Sequence, residues 1–252
     1  MEAYISNKHK LVVFWSPKCG CTSVVNWFYT NVLGENSLRQ HEQRIFLRRY
    51  QKSYKWALRL LCKEKKYKSV AFVRNPISRP ASAYINKFLY RNKKPILDFE
   101  NLEDFSKNFY NEYLKYYKIK TSEYIGISFR EYLEFILNCK ETNKILDGHF
   151  DTQTTSEFII PDFYVKLENF SDDLSHINKA FGLSDYIPSV LNSTNDTMPN
   201  ALDENLILDN MKSVELLSLN ALVKKRNILS EYSLELINQI YEVDFLNLNY
   251  KN

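Results

Sequence analysis

The sequence predicts an α/β fold with a central, mostly parallel sheet flanked by helices. Three observations predict it. LVVFW (Leu11–Trp15) and SVAFV (Ser69–Val73) are short runs of β-branched and aromatic residues without polar alternation, the pattern of strands buried on both faces. Each run ends in a tight polar loop and then an apolar stripe at helical spacing. A third run, FYVKLE (Phe163–Glu168), is also followed by a helical pattern. Strands alternating with helices favour parallel pairing, because a crossover helix must return the chain to the same sheet edge. The 252 residues suit one domain spanning 1–252, and no linker or internal repeat calls for a cut.

The opening MEAYISNKHK reads as a polar leader without the hydrophobic stretch of a signal peptide. After Leu11–Trp15, the segment SPKCGCTS leads into a helix marked by Val24, Val25, Trp27, Phe28 and Leu33. Arg39 to Lys68 reads mostly as helix, since Phe46, Tyr50, Tyr54, Leu58 and Leu61 recur at helical spacing. Ser69–Val73 delivers Arg74-Asn75-Pro76, after which Ile77, Ala81, Tyr84, Ile85 and Phe88 mark the next helix, with Pro80 tolerated in its first turn. Helices are expected over Asn101–Ile119, Ser128–Cys139 and Ser171–Phe181, and one or two more over Glu204–Tyr241. Ser189–Asn200 has the composition of a loop, and Asp244–Tyr250 closes the chain.

Net charge is only +4, too mild to mark a nucleic-acid binder, but it is unevenly spread. Arg39–Lys68 holds eleven Lys/Arg against Glu42 and Glu64, giving +9, while the remainder carries −5. Such a segment attracts phosphate, sulfate or carboxylate. Cys19, Cys21, Cys62 and Cys139 show neither metal-ligand pairs nor a dense disulfide pattern, so a reducing compartment is expected and no metal is implied. No apolar run reaches membrane-spanning length. The expected setting is therefore cytoplasmic, at most peripheral to a membrane.

Two segments carry the chemistry. In Pro17-Lys18-Cys19-Gly20-Cys21-Thr22-Ser23, a lysine, a glycine turn and two hydroxyls precede a helix, whose first-turn amides lack intrahelical acceptors and suit an anion. The order differs from a Walker A loop, because Lys18 precedes the only glycine. At the end of the next strand, Arg74 offers a planar fork to phosphate, and Ser82 a hydroxyl one to two turns into the helix. Arg79 is equally suited to an anion or to a structural contact at the helix start. Two anion sites at adjacent strand ends suit a ligand with two separated phosphates.

These segments, Pro17-Lys18-x-Gly20-x-Thr22-Ser23 and Val73-Arg74-Asn75-Pro76-x-x-Arg79-x-x-Ser82-Ala83-Tyr84-x-x-Lys87-Phe88, resemble the two cofactor motifs of sulfotransferases that use 3′-phosphoadenosine 5′-phosphosulfate. The closer resemblance is to the carbohydrate (chondroitin/dermatan-type, family 2) sulfotransferases. It implies that Lys18, Cys19, Gly20, Cys21, Thr22 and Ser23 hold the 5′-phosphosulfate, that Arg74 and Ser82 hold the 3′-phosphate, and that adenosine 3′,5′-bisphosphate is the product. Asp147-Gly148-His149-Phe150 with Gln153, Tyr164–Phe170, and Tyr241-x-x-Asp244-Phe245-x-x-x-x-Tyr250 resemble further family segments. Pro80 departs from the family pattern. The cysteine pair, membrane anchor and stem of Golgi relatives are missing too, so a Golgi-lumen domain stripped of its anchor is the alternative setting.

The implied reaction moves a sulfuryl group to a hydroxyl of a carbohydrate acceptor and needs in-line geometry, charge stabilisation and a base. Lys18 is the candidate for stabilising the leaving oxygen. His41, at the head of the basic segment, and His149, in the Asp147–Phe150 segment, are the candidate bases, with Glu42 and Glu168 behind them. His9 and His176 fall outside the recognised segments. Arg44, Arg48, Arg49, Lys52 and Lys55 are expected to line a cleft for an acidic or already sulfated glycan. Two competing classes are a kinase-like phosphotransferase, disfavoured by the missing Walker A order, and a noncatalytic polyanion or nucleic-acid binder, which leaves the paired strand-end motifs unexplained.

Overall fold

The computed structural model describes residues 1–36, 38–63, 66–91, 94–154, 160–188, 202–203 and 205–251. The chain forms two compact units. The first comprises Met1–Asn75, Gln153–Ser193 and Leu246–Asn249, the second Pro76–Thr152, Thr194–Phe245 and Tyr250–Asn252. The loop expected at Ser189–Asn200 lies outside the described residues.

The first unit is built on a five-stranded sheet of β1 (Glu2–Ser6), β2 (Leu11–Trp15), β3 (Gln51–Ser53), β4 (Lys68–Val73) and, after two short strands of the second unit, β7 (Phe163–Lys166), in the order β3-β1-β2-β4-β7. β2, β4 and β7 pair in parallel, with Trp15 opposite Phe72 and Val73 opposite Lys166. β1 pairs antiparallel with both β2 and β3, so four strands run one way and β1 alone is reversed. β2 and β4 are buried on both faces, as their unbroken apolar runs require.

Helix α1 (Cys21–Trp27) follows β2 and widens into a π-helical turn over Phe28–Val32. Helix α2 (Gln40–Leu47) and helix α3 (Tyr54–Lys63) flank β3. Helix α7 (Phe170–Phe181) packs after β7, where the buried Trp27 indole donates to Asn178 Oδ1 at 2.8 Å. Val13, Val24, Trp27, Phe72, Val165 and Leu174 anchor this core.

Two expectations fail here. The leader is β1, whose Ala3, Tyr4 and Ile5 are buried beside β2. Arg39–Lys68 is not one helix: a 3-10 turn at Arg48–Tyr50 and strand β3 divide it. The backbone groups on the outer edge of β1 need partners, and Gln51–Ser53 supplies them, so strand pairing overrides the helical spacing of Phe46, Tyr50 and Tyr54.

The second unit holds α4 (Ser78–Tyr84), continued by a π-helical turn at Ile85–Leu89, and the hairpin of β5 (Tyr90–Arg91) with β6 (Lys94–Pro95). It also holds α5 (Asp104–Tyr116), α6 (Phe129–Glu141), α8 (Ser213–Ser218) and most of α9 (Glu231–Leu248). Ser128 caps α6, accepting from the Glu131 amide while the Glu131 carboxylate accepts from the Ser128 amide. The chain end expected to close from Asp244 instead continues α9 to Leu248, with a non-helical kink at Tyr241. The expected stripe is the core: Ala81, Tyr84, Ile85 and Phe88 are buried against Phe109, Tyr132 and Phe150. Burial pushes the Tyr84 hydroxyl well up, and it donates to the Ile127 carbonyl at 2.8 Å. Among the described residues no helix is long and apolar enough to cross a membrane.

Candidate functional site

The parallel pairing of β2 with β4 sends both strands out at the same sheet edge, and both chemical segments start there. After β2 the chain turns sharply: the Cys19 amide donates to Ser16 O at 3.2 Å, and Lys18 and Gly20 adopt left-handed φ of 70° and 79°. Gly20 has a second reason to be glycine, since a Cβ there would stand 2.9 Å from Leu167 Cδ1. Helix α1 starts at Cys21, and its first turn holds no acidic residue and no side-chain cap.

Gln153 joins the two loops. Its fully buried amide accepts from the Arg74 N–H at 2.8 Å and from Cys19 Sγ at 2.9 Å, and donates to the Arg74 carbonyl at 2.8 Å. The Arg74 guanidinium in turn donates to the Lys18 carbonyl at 3.1 Å. Lys18, Cys19 and Arg74 therefore share one end of the sheet, held by a side chain far along the chain. Cys19 is buried with its thiol in this clamp, so only its backbone can face a ligand.

Cys21 Sγ reaches Ser16 O at 3.3 Å, and burial pushes its thiol up against the opposing pull of the Lys18 backbone and of Arg44. Ser23 is buried, while Thr22 accepts at Oγ1 from Arg44 of α2 at 3.1 Å. Arg44 thus adds a second cation beside the loop that holds Lys18. His41, exposed near the start of α2, lies one turn before Arg44 on that helix. The two carboxylates considered as bases are engaged with backbone: Glu42 accepts from the Arg39 amide at 2.8 Å and Glu168 from the Asn75 amide at 2.9 Å.

Ser82 and His149 belong to the second unit. Ser82 is half-buried on α4, and its hydroxyl has no hydrogen-bond partner among the described residues. Arg79 is buried and donates to the carbonyls of Asp151 at 2.5 Å and Gly148 at 2.8 Å, which makes it a brace for the 148–151 turn. On that turn His149 Nδ1 lies 2.6 Å from Asp147 Oδ1, and the ring stacks on Phe105 with centroids 4.5 Å apart and planes within 3°. The hydrogen bond from His149 holds the Asp147 carboxyl below its usual range. With Nδ1 engaged by the carboxylate, Nε2 is the ring nitrogen that can move a proton.

His9 sits in the β1–β2 turn at the other sheet end, and His176 on the exposed face of α7. Sequence reasoning missed Asp147 as a partner of His149, Arg44 as a partner of Thr22, and the clamp at Gln153. The i, i+2 spacing of Asp147 and His149 was the one signal available for any of these.

No curated protein and no solved structure matches the chain. A family model described as "Sulfotransferase family" matches residues 1–251, running through both units. With the match covering almost every residue, and with the paired loops at the shared carboxyl edge of β2 and β4, the chain belongs to the sulfotransferase family.

Proposed function

We propose that the protein transfers a sulfuryl group from 3′-phosphoadenosine 5′-phosphosulfate to a hydroxyl of a carbohydrate, such as an acidic or already sulfated glycan. The observation that carries this reading is the Gln153 clamp, which indexes the Arg74 loop against the Lys18 loop. The donor set fits a bisphosphorylated anion: Lys18, Arg44 and Arg74 bring positive charge, and the start of α1 brings amides with no acidic residue beside them. Ser82 brings a hydroxyl without a partner among the described residues.

In this reading Lys18, Gly20, Cys21, Thr22 and Ser23 hold the 5′-phosphosulfate, and Arg74 and Ser82 the 3′-phosphate. When bound, the donor supplies an activated sulfuryl group on a phosphate leaving group. Lys18 stabilises negative charge on the bridging oxygen, and Arg44 orients Thr22. His149 takes the proton of the acceptor hydroxyl at Nε2, with Asp147 fixing the ring and stabilising the imidazolium. His41 is the competing base, because it shares a helix with Arg44.

Titration with adenosine 3′,5′-bisphosphate, AMP and ATP tests the assignment. The bisphosphate should bind best, and Arg74→Ala should abolish that preference. Equal affinities for the three nucleotides in the unaltered protein would overturn the reading.

A further inference from the structure

The basic segment does not form one surface. Arg44 turns to the loop at the carboxyl edge of the sheet, whereas Arg49 and Lys52 line a cleft of about 560 Å³ with Lys8, Tyr50 and Trp56. This cleft also takes in Ile5 and Ser6, which pair with Val12 and Leu11 at the beginning of β2. The Lys18 and Arg74 loops leave from the other end of β2 and β4. The cleft is therefore a separate place on the first unit.

Its chemistry is specific. Trp56 is 45% exposed, an unusual state for a tryptophan, with the Lys52 ammonium 5.9 Å from its ring. The Arg49 guanidinium lies 3.6 Å from the Phe46 ring centroid and 5.2 Å from that of Tyr50. A guanidinium stacked on aromatic rings is held flat and turns its N–H edge outward, ready for a bidentate anion. None of Lys8, Arg49 and Lys52 is ion-paired with a carboxylate among the described residues, and Glu35 is the acidic residue in the lining. Cations without an ion-pair partner among the described residues, set beside the exposed face of Trp56, match a ligand that carries fixed anions on rings with a weakly polar C–H face to stack. Sugar rings bearing sulfate or carboxylate are such a ligand, and the volume lies within the range of small-ligand sites.

We infer that this cleft is a second glycan site that grips an anionic oligosaccharide away from the cofactor loops. The choice of a sugar over other polyanions rests on the function proposed above; the anion-binding character rests on the cleft alone. Arg49 and Lys52 take the sulfate or carboxylate groups, and Trp56 stacks on a sugar ring.

The test is fluorescence titration of the whole protein with a hexasaccharide of alternating uronic acid and sulfated N-acetylhexosamine. A neutral hexasaccharide and hexathymidylate serve as comparison probes. Saturable quenching that weakens with salt and disappears in Trp56→Phe is expected, because Trp27 is buried in the core and the partly buried Trp15 ends β2, away from the Val12 and Leu11 end where the cleft lies. The Arg49→Gln/Lys52→Gln variant should lose about tenfold or more in affinity for the sulfated probe. Its melting temperature and its affinity for adenosine 3′,5′-bisphosphate should be unchanged. Unchanged affinity for the sulfated probe in that variant, or equal binding of the neutral hexasaccharide, overturns the site. Tighter binding of hexathymidylate replaces the glycan with a nucleic acid and overturns the proposal as well. Nucleotide titration separates the two readings: a protein blind to adenosine 3′,5′-bisphosphate that still binds the hexasaccharide at Trp56 would lose the proposed function and keep the cleft.

Discussion

Replacing Gln153 with Ala is the sharpest perturbation of the site, because this side chain meets both loops without being exposed to any ligand. The change removes a fully buried side chain that makes two hydrogen bonds of 2.8 Å to the partly buried Arg74 backbone and accepts one of 2.9 Å from the buried Cys19. A backbone group that loses its partner away from water costs about 1–3 kcal/mol, so the two Arg74 groups together cost roughly 2–6 kcal/mol. For a chain of this size each kcal/mol lowers the melting temperature by about 2–4 °C, which puts the expected fall at roughly 4–24 °C. Gln153→Glu should not rescue it, since a carboxylate can accept from the Arg74 N–H but cannot donate to the Arg74 carbonyl. Thermal melts followed by circular dichroism would measure the loss. Titration with adenosine 3′,5′-bisphosphate would report about tenfold or more weaker binding, because Arg74 is no longer indexed against Lys18. A melting temperature within about 2 °C of the parent, with unchanged nucleotide affinity, would refute the clamp.

His149→Ala should lower turnover by roughly 10²–10⁴ with nucleotide affinity nearly intact, while His41→Ala should be mild; the reverse pattern in a transfer assay would move the base to α2. Asp147→Asn should also slow turnover, because the carboxylate that fixes the His149 ring through Nδ1 is gone. Since His149 holds Asp147 below its ordinary range, the carboxylate contributes stability above its unfolded value and loses it as pH falls through the lowered folded one. Acid unfolding of Asp147→Asn should thus lack that component. Gly20→Ala should cost about 1–2 kcal/mol in urea unfolding from the positive φ alone. Trimming Leu167 to Ala should relieve the 2.9 Å approach but not that backbone cost.

The strands that a reader of the sequence can find are those sealed on both faces. Val12, Val13, Val70 and Ala71 are wholly buried, so nothing polar interrupts their runs and the parallel pair of β2 and β4 is visible, whereas β7, in which Val165 is the one buried residue, shows itself by the helical pattern that follows it. Gln51–Ser53 carries no residue that favours a strand; it becomes β3 only because β1 offers an edge, and that edge is a tertiary fact. The anion-binding residue types around Lys18 and Arg74 were legible from chemistry and from their places after strands. Their mutual arrangement was not, because a lone glutamine has no periodicity, and Gln153 acquires its role only when the chain returns to the sheet. Asp147 and His149 were legible as neighbours, yet the turn that closes them, with the Phe150 amide on Asp147 O at 2.9 Å, is a matter of backbone conformation.

That late return has a consequence for the order in which the protein takes shape as it is made. The β1–β2 hairpin is local and can close within about 1–10 μs of its synthesis. Gln153 follows Arg74 by 79 positions, a delay of roughly 4–16 s at about 5–20 residues per second of translation. During that interval β4 has β2 on one side and an open, apolar edge on the other, where Val165 will later seal against Phe72. The nascent chain therefore displays the Lys18 and Arg74 loops before it can lock their spacing, and its stickiest strand before that strand is covered. Slowing translation after Arg74 lengthens this exposure, whereas a chaperone that occupies the β4 edge and yields it to β7 shortens the time in which two growing chains could pair there.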